Sequence, residues 1–287
     1  MSSDVAPFLP APDQMAASLQ AALPSFQRID WLEETGSTNA DLLTRSRQAH
    51  GAVARPWLLG THLQTQGRGR AGRTWQNRVG ANLMFSCAFD VFLPARQLPT
   101  LSTVIGMASC QALRQQISPD LQSRLNMKWP NDLQWDHAKL AGILIESTRS
   151  GTTQAADHHL IIIGIGLNML DARALSLSLD RNIADWAEVA AIDAQAAQAT
   201  AATLVAGLAR AWYDTLNQAT AHGFADLPAR YAQVDGLAGQ ALDIIDAGKL
   251  RQTGIACGID AQGRLLVRNA EGVHPVSVGE ISVRLRR

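Results

Sequence analysis

The sequence predicts an α+β fold in which strands and helices are interspersed over most of the chain and a small all-β module closes it. Three observations predict this. Apolar runs of strand length and segments of helical period follow one another up to about residue 235. No Gly-x-Gly-x-x-Gly opens a helix after an early strand, which sets aside a dinucleotide-binding sheet. Gly67, Gly69 and Gly72 have that spacing, but arginines fill the gaps and no helical pattern follows. From Gly239 onward, short strands are separated by turn signals at Asp246-Ala-Gly, Asp260-Ala-Gln-Gly and Asn269-Ala-Glu-Gly, a β module of about fifty residues.

The elements follow in order. Residues 1–12 are rich in Pro and Ala and are expected to be loose. Asp13–Leu23 places Met15, Leu19 and Leu23 on one helical face, with Asp13 as the expected cap. Arg28–Glu34 reads as a strand. Thr38 with Asp41 has the capping pattern of a helix running to about Ala49. Trp57–Gln64 and Ala81–Phe89 are strands entering and leaving a glycine-rich loop. Thr100–Ile117 has helical period. Arg124–Trp129 is a strand ended by Pro130, and Leu133–Trp135 with Lys139–Ser147 forms a hairpin about Asp136-His-Ala138. His159–Leu170 is a buried strand broken by Gly164 and Gly166. Ala194–Thr220 is one Ala-rich helix, and another follows to about Tyr231. The chain thus divides into an extension (1–27), a main domain (28–235) and the β module (236–287).

Composition narrows the function. The chain has 287 residues, 47% of them hydrophobic, enough for a full core. Formal net charge is zero, unlike a general nucleic-acid binder. Three scattered cysteines, Cys87, Cys110 and Cys257, form neither a metal spacing nor a disulfide framework, which suits a reducing cytoplasm. No secretory leader is read at the N-terminus, and the longest apolar run, Leu160–Leu170, is too short to span a bilayer.

Positive charge is local. Residues 64–75 read Gln-Thr-Gln-Gly-Arg-Gly-Arg-Ala-Gly-Arg-Thr-Trp, with Arg68, Arg70 and Arg73 between glycines and Trp75 at the end. Glycine opens the backbone to positive φ and close approach. Successive N–H groups in such a turn form a concave anion site, and arginine forks match phosphate or carboxylate oxygens. If the segment is extended, Arg68 and Arg70 point to one side, about 6–7 Å apart. The plain alternative is an exposed basic loop or a disordered RNA-binding tract. Lys128-Trp-Pro-Asn131-Asp132-Leu133 sets a cation and an aromatic surface beside what is otherwise an ordinary turn. Lys139-Leu-Ala-Gly142-Ile-Leu-Ile-Glu146 opens an apolar strand with a lysine; the hairpin brings Lys139 back near Asn131 and Asp132, and Gly142 leaves room for a close approach. Ser37-Thr38-Asn39 offers hydroxyls at a helix start, and Asn168 ends the strand carrying Gly164 and Gly166. The plain readings of these two are a cap and a β-bulge with a satisfied Asn.

Taken together and in this order, the five segments resemble the biotin protein ligases, from about Trp31 to the C-terminus. The resemblance implies a catalytic domain like that of class II aminoacyl-tRNA synthetases, a mixed sheet flanked by helices, with a C-terminal SH3-like barrel. It implies ATP-dependent activation of biotin as biotinyl-5′-AMP, with Mg²⁺, and transfer to a lysine of a biotin carboxyl carrier protein, the carrier domain of acetyl-CoA carboxylase. Ser37, Thr38, Asn39, Gln64 and Gly142 would line the biotin pocket, and Arg68, Gly69, Arg70 and Lys139 would hold the carboxyl end. Arg70, Arg73, Trp75, Lys128, Asn131 and Asn168 would surround the nucleotide. Lys139, Arg68 and Asp132 would act in catalysis, Asp132 as base or as a guide for the incoming amine. No dedicated metal ligand is implied. Only one short helix precedes the core, too little for the N-terminal DNA-binding domain that some members use as repressors, so neither operator binding nor membrane attachment is expected. Members are monomers or homodimers. Three rivals stand beside it: a lipoate ligase, a regulator that senses the ligand without catalysis, and a nucleic-acid-binding protein using the basic loop and the β module, against which the neutral charge counts.

Overall fold

In a computed structural model the described residues are 9–48, 54–149, 157–246, 248–279 and 281–286. Residues 1–8 of the loose start, Ala49 at the expected helix end, Ala247 in the first turn of the β module and Glu280 lie outside them.

The core is a seven-stranded sheet in the order β1 (Arg28–Thr35), β2 (Trp57–Gln64), β3 (Asn82–Phe92), β7 (His158–Asn168), β6 (Ala138–Arg149), β5 (Asp132–Trp135) and β4 (Leu125–Lys128). Only β1 and β2 run parallel, joined by helix α2 (Thr38–Gln48); every other neighbour pair is antiparallel. The sheet is therefore mixed, as expected. Period-2 alternation sends each strand's residues to two different faces. Leu83, Phe85, Cys87 and Phe89 of β3 join the main core with α1 (Pro12–Ala22), α3 (Leu101–Arg114) and α7 (Ala201–His222). Ala88 of β3 and Ile162 of β7 face the other way, into a small cluster with Leu42 of α2. That second face carries Ser86, Gly164, Gly166, Gly142 and Glu146, and α2 covers only part of it.

Several expectations need correction. Asp13 lies inside the first turn of α1, behind Pro12, and caps only its neighbour's N–H, so the helix has no side-chain cap. Strand β7 is not broken or bulged at Gly164 and Gly166: its pairing with β3 and β6 runs through both without a shift. The Ala-rich stretch is two helices, α6 (Ala194–Ala197) and α7, because the Thr200 hydroxyl accepts the Thr203 N–H and starts a new helix. Two short helices, α4 (Ala172–Leu179) and α5 (Trp186–Ala190), were not anticipated. The hairpin turn Asp136-His137 is as expected; both residues have positive φ, the geometry that suits a two-residue hairpin loop.

After α8 (Leu227–Ala232) a five-stranded antiparallel sheet follows: β8 (Ala241–Asp246), β9 (Lys249–Ile259), β10 (Leu265–Asn269), β11 (Gly272–Val276) and β12 (Ile281–Leu285). Its Asp260–Arg264 turn docks on the main domain. Thr100 donates to Gln262 O, while Thr103 and the Trp129 indole both donate to Gly263 O.

Candidate active site

The site lies on the partly uncovered face of the sheet. At its inner end the start of α2 departs from the capping pattern: Asp41 accepts from the Thr35 hydroxyl instead of capping. That leaves Thr38 available. Its backbone N–H donates to Gln64 Oε1 at 2.9 Å, and its Oγ1 lies 3.2 Å from the same oxygen and 2.6 Å from Ser86 Oγ. Ser86 in turn donates to Asn39 Oδ1 at 2.6 Å, and Asn39 Nδ2 donates to Glu146 Oε2 at 2.8 Å. Ser37, Thr38, Asn39 and Ser86 are all buried. A Cβ at Gly164 would stand 2.1 Å from Asn39 Oδ1, so glycine there makes room for this chain of hydrogen bonds.

The glycine–arginine loop folds over the outer part of the face. Asn77 clamps its base by exchanging two hydrogen bonds with the Gln64 backbone. Trp75 N–H donates to Gly67 O and Gly69 N–H to Arg73 O, so the loop is a closed turn with Ala71 and Gly72 in left-handed backbone. A Cβ at Gly67 would meet Trp75 O at 2.7 Å. Arg68 and Arg70 do not point to one side, because the chain turns at Arg70 rather than running extended. Arg68 pairs with Glu146 at 3.0 Å; Arg70 donates to Asn131 Oδ1 at 2.9 Å and to Gly279 O of the β module at 2.6 Å. Arg73 is exposed.

Trp75 folds back under the loop. Gly142 and Gly166 face each other across β6 and β7, and the indole rests on the bare patch they form: a Cβ at Gly166 would lie 2.2 Å from the ring. Trp75 Nε1 is buried without a hydrogen-bond partner. Lys139 Nζ sits 5.6 Å from the ring centroid and 2.7 Å from Asp132 Oδ1. The Lys139 backbone is held by Asn182 O and the Ala184 N–H. Lys128 lies opposite Asp132 in the β4–β5 hairpin. Asn131 is no plain turn former, since its side chain joins Ile143 O on β6 to Arg70.

Three elements thus bring Arg70, Lys128, Lys139, Asp132, Asn131 and Trp75 together. The electrostatics follow from burial. Desolvation lowers the Arg70 pKa despite the pull of Asp132, and lowers that of Lys128 in the same way. Asn168 is satisfied without the bulge of its plain reading: its amide donates to Lys139 O and Ala184 O and accepts from Asn82, so it secures the lysine's backbone. Two residues at the site were not picked out beforehand. Ser86 is one hydroxyl in an apolar strand, and half-buried Glu146 follows the apolar part of β6, where a carboxylate after Ile143-Leu-Ile145 was the available signal. The cysteines take no part. Burial pushes the Cys110 thiol up to about 12 and raises that of Cys87 as well. Among the described residues no group of three or more His, Cys, Asp or Glu could hold a metal ion. Also among them, no helix is long and apolar enough to cross a membrane.

Comparison with known proteins bears on the family and the fold. Residues 33–168 match the biotin/lipoate A/B protein ligase family, and residues 239–284 match the biotin protein ligase C-terminal domain. The bifunctional ligase/repressor BirA of Escherichia coli is 33% identical over 77% of this chain; the alignment spans 64% of that protein's length. The biotin–[acetyl-CoA-carboxylase] ligase of Paracoccus denitrificans is 30% identical over 87% of this chain and 98% of its own. The biotin protein ligase of Aquifex aeolicus, solved with biotin and ATP, shares the fold with a TM-score of 0.70 at 24% identity, over 91% of this chain and 100% of its own. The two family matches fall on the main sheet domain and on the C-terminal β module respectively. The chain belongs to the biotin protein ligase family.

Proposed function

We propose that this protein is an ATP-dependent biotin ligase. The biotin carboxylate attacks the α-phosphorus of ATP, giving biotinyl-5′-AMP and pyrophosphate. A lysine of a biotin carboxyl carrier domain then attacks the acyl carbon, and AMP leaves. The observation that carries this is the meeting of Lys139, Asp132, Arg70 and Trp75 above Gly142 and Gly166.

Both reactants of the first step are anions, so the site must hold positive charge where they meet. Lys139 and Arg68 take the biotin carboxylate, with the Gly69 backbone beside them, and Arg70 spans to the α-phosphate. Their present partners, Asp132, Glu146 and Asn131, keep half-buried Lys139 and Arg70 and the more exposed Arg68 satisfied until the anions displace them. Ser37, Thr38, Asn39 and Gln64 hold the ureido head in the polar inner end. Trp75, Lys128 and Asn131 face the nucleotide, Arg73 its outer phosphates, and Asn168 acts from behind through Lys139. The mixed anhydride is sheltered from water by the loop over it. In the second step Asp132, released from Lys139, orients the incoming amine or takes its proton.

Magnesium would be held by the phosphates of ATP and by water and would add positive charge at the reacting phosphate; Asp132 and Glu146 are engaged by Lys139 and Arg68. Residues 28–235 carry the chemistry and 236–287 supply the module that holds Arg70. With no net charge and one short basic loop, the protein is expected to give no operator shift at physiological salt.

The test is ATP–pyrophosphate exchange with biotin or lipoate, followed by transfer of labelled biotin to a carrier fragment. Exchange with biotin alone, and label on the carrier lysine, is the expected result. Exchange driven by lipoate makes it a lipoate ligase, and biotin binding without exchange makes it a sensor.

A further inference from the structure

The polar chain beneath α2 contains more close oxygen contacts than protons to fill them, and the count fixes its direction. Glu146, paired with Arg68 at 3.0 Å, is a carboxylate and only accepts. One end of the Asn39 amide lies 2.8 Å from Glu146 Oε2 and 3.4 Å from Leu144 O. Two acceptors there require the NH₂ group, so Oδ1 faces Ser86 at 2.6 Å. Asn39 Oδ1 has no proton, so the Ser86 proton lies on that bond. Ser86 Oγ then accepts from the Thr38 hydroxyl at 2.6 Å. Thr38 has spent its one proton, and Gln64 Oε1 is left with the Thr38 N–H at 2.9 Å. The reverse order would press two bare oxygens together at 2.6 Å, both buried, and forfeit a hydrogen bond where none can be replaced by water.

Thr38 Oγ1 and Gln64 Oε1, 3.2 Å apart, are therefore both acceptors. We infer that Ser86 and Glu146 are positioning residues that set specificity: they lock the Thr38 hydroxyl as an acceptor, so the pocket takes a ring N–H and rejects an isosteric ring oxygen. This rests on the biotin reading above. Glu146 acts through Asn39 and Ser86, and Ser86 through Thr38. Gly164 belongs to the same device, since any side chain there would strike Asn39 Oδ1. A site built around acceptors loses far more with a ligand lacking the donor than a site whose hydroxyl can turn.

The experiment is calorimetric titration of the full chain with biotin, with desthiobiotin, and with the two cyclic carbamates in which one ring N–H of biotin is replaced by oxygen. The wild-type protein is expected to bind at least one carbamate roughly a hundredfold more weakly than biotin. In Ser86→Ala the Thr38 proton is free to turn toward a ligand oxygen, so that ratio narrows about tenfold, while the desthiobiotin-to-biotin ratio holds. Glu146→Leu narrows it too and serves if Ser86→Ala does not fold. Glu146→Gln keeps an acceptor for Asn39 and keeps the discrimination. Equal weakening of all four ligands, with the carbamate ratio unmoved, overturns the lock and leaves the ligase reading intact. A wild-type protein that binds no biotin overturns both.

Discussion

Lys139 has three constraints that a strand-end lysine does not need. Its ammonium pairs with Asp132 at 2.7 Å, lies over the Trp75 ring, and is carried on a backbone tied to residues 182–184. Lys139→Ala removes the cation where two anions must meet and leaves Asp132 to repel them. Adenylate synthesis is expected to fall by about 10²–10³-fold, the range for losing one preorganised donor of this type. Near-normal pyrophosphate exchange in that variant would remove the role. Lys128 gives a second prediction at the same scale. Burial holds its pKa below the ordinary lysine value of 10.5. Only the protonated form attracts phosphate, so ATP affinity declines as pH rises through that lowered value, before an exposed lysine would lose its charge. Arginine stays charged throughout. Lys128→Arg is therefore expected to shift the alkaline limb of ATP affinity upward, and an unmoved limb assigns it to another group. The residues that sequence alone picked out here were those whose chemistry is conspicuous: arginines among glycines, and a lysine opening an apolar strand. Ser86 was hidden because one hydroxyl costs a strand pattern nothing, and its importance comes only from the two oxygens placed on either side of it.

At the scale of elements, the strands were legible and the short helices were not. Strand β1 alternates in burial, whereas β2 and β3 are buried on both faces over most of their length and show as near-continuous apolar runs, which is why all three lie close to where those patterns put them. Helix α4 escaped because Ala174-Leu-Ser-Leu-Ser-Leu179 alternates like a strand. The break before α7 escaped because one Thr200 hydroxyl interrupts a run otherwise made of alanine and glutamine, both good helix formers. Gly164 and Gly166 read as strand breakers when the backbone alone is considered; what they make room for is Asn39 and Trp75, and a sequence does not show what will pack on a glycine. The loop from 65 to 75 depends on this. Its three internal backbone hydrogen bonds are short-range, and one of its anchors to the sheet is the indole resting on Gly166. Gly166→Ala would put a methyl 2.2 Å from the ring and force Trp75 off. Loop amides of the ligand-free variant are expected to exchange faster than wild type, measured by hydrogen-exchange mass spectrometry. In the wild type, biotin with ATP should slow exchange of the same amides. Identical loop exchange in all three samples would deny both the anchor and the closure.

Across the whole molecule, the β module touches the site at Arg70 and is fixed to the main domain at a second place. Gly279 O accepts from Arg70, and the Asp260–Arg264 turn is fixed to the main domain by side chains of Thr100, Thr103 and Trp129. Asp260 stiffens that turn from inside, accepting the N–H groups of Gln262 and Arg264 and the Arg264 side chain. The turn and Arg70 therefore share one body, and loosening the first should release the second. Gly263 O is the point to probe, because it has two donors, both buried: Thr103 Oγ1 at 3.1 Å and Trp129 Nε1 at 2.9 Å. Either substitution alone, Thr103→Val or Trp129→Phe, leaves the carbonyl one donor; the lost hydrogen bond costs about 0.5–1.5 kcal/mol, with a further packing loss for the smaller ring. The double variant leaves a buried carbonyl bare and should cost about 1–3 kcal/mol beyond the sum of the two, read from urea melts of all four proteins. Because Arg70 is tied to the same body, the KM for ATP should also rise more in the double variant than the product of the single effects. Stability changes that add to within about 0.5 kcal/mol would show that water or a shifted backbone replaces the missing donors, and that the module rides on the main domain without gripping it there.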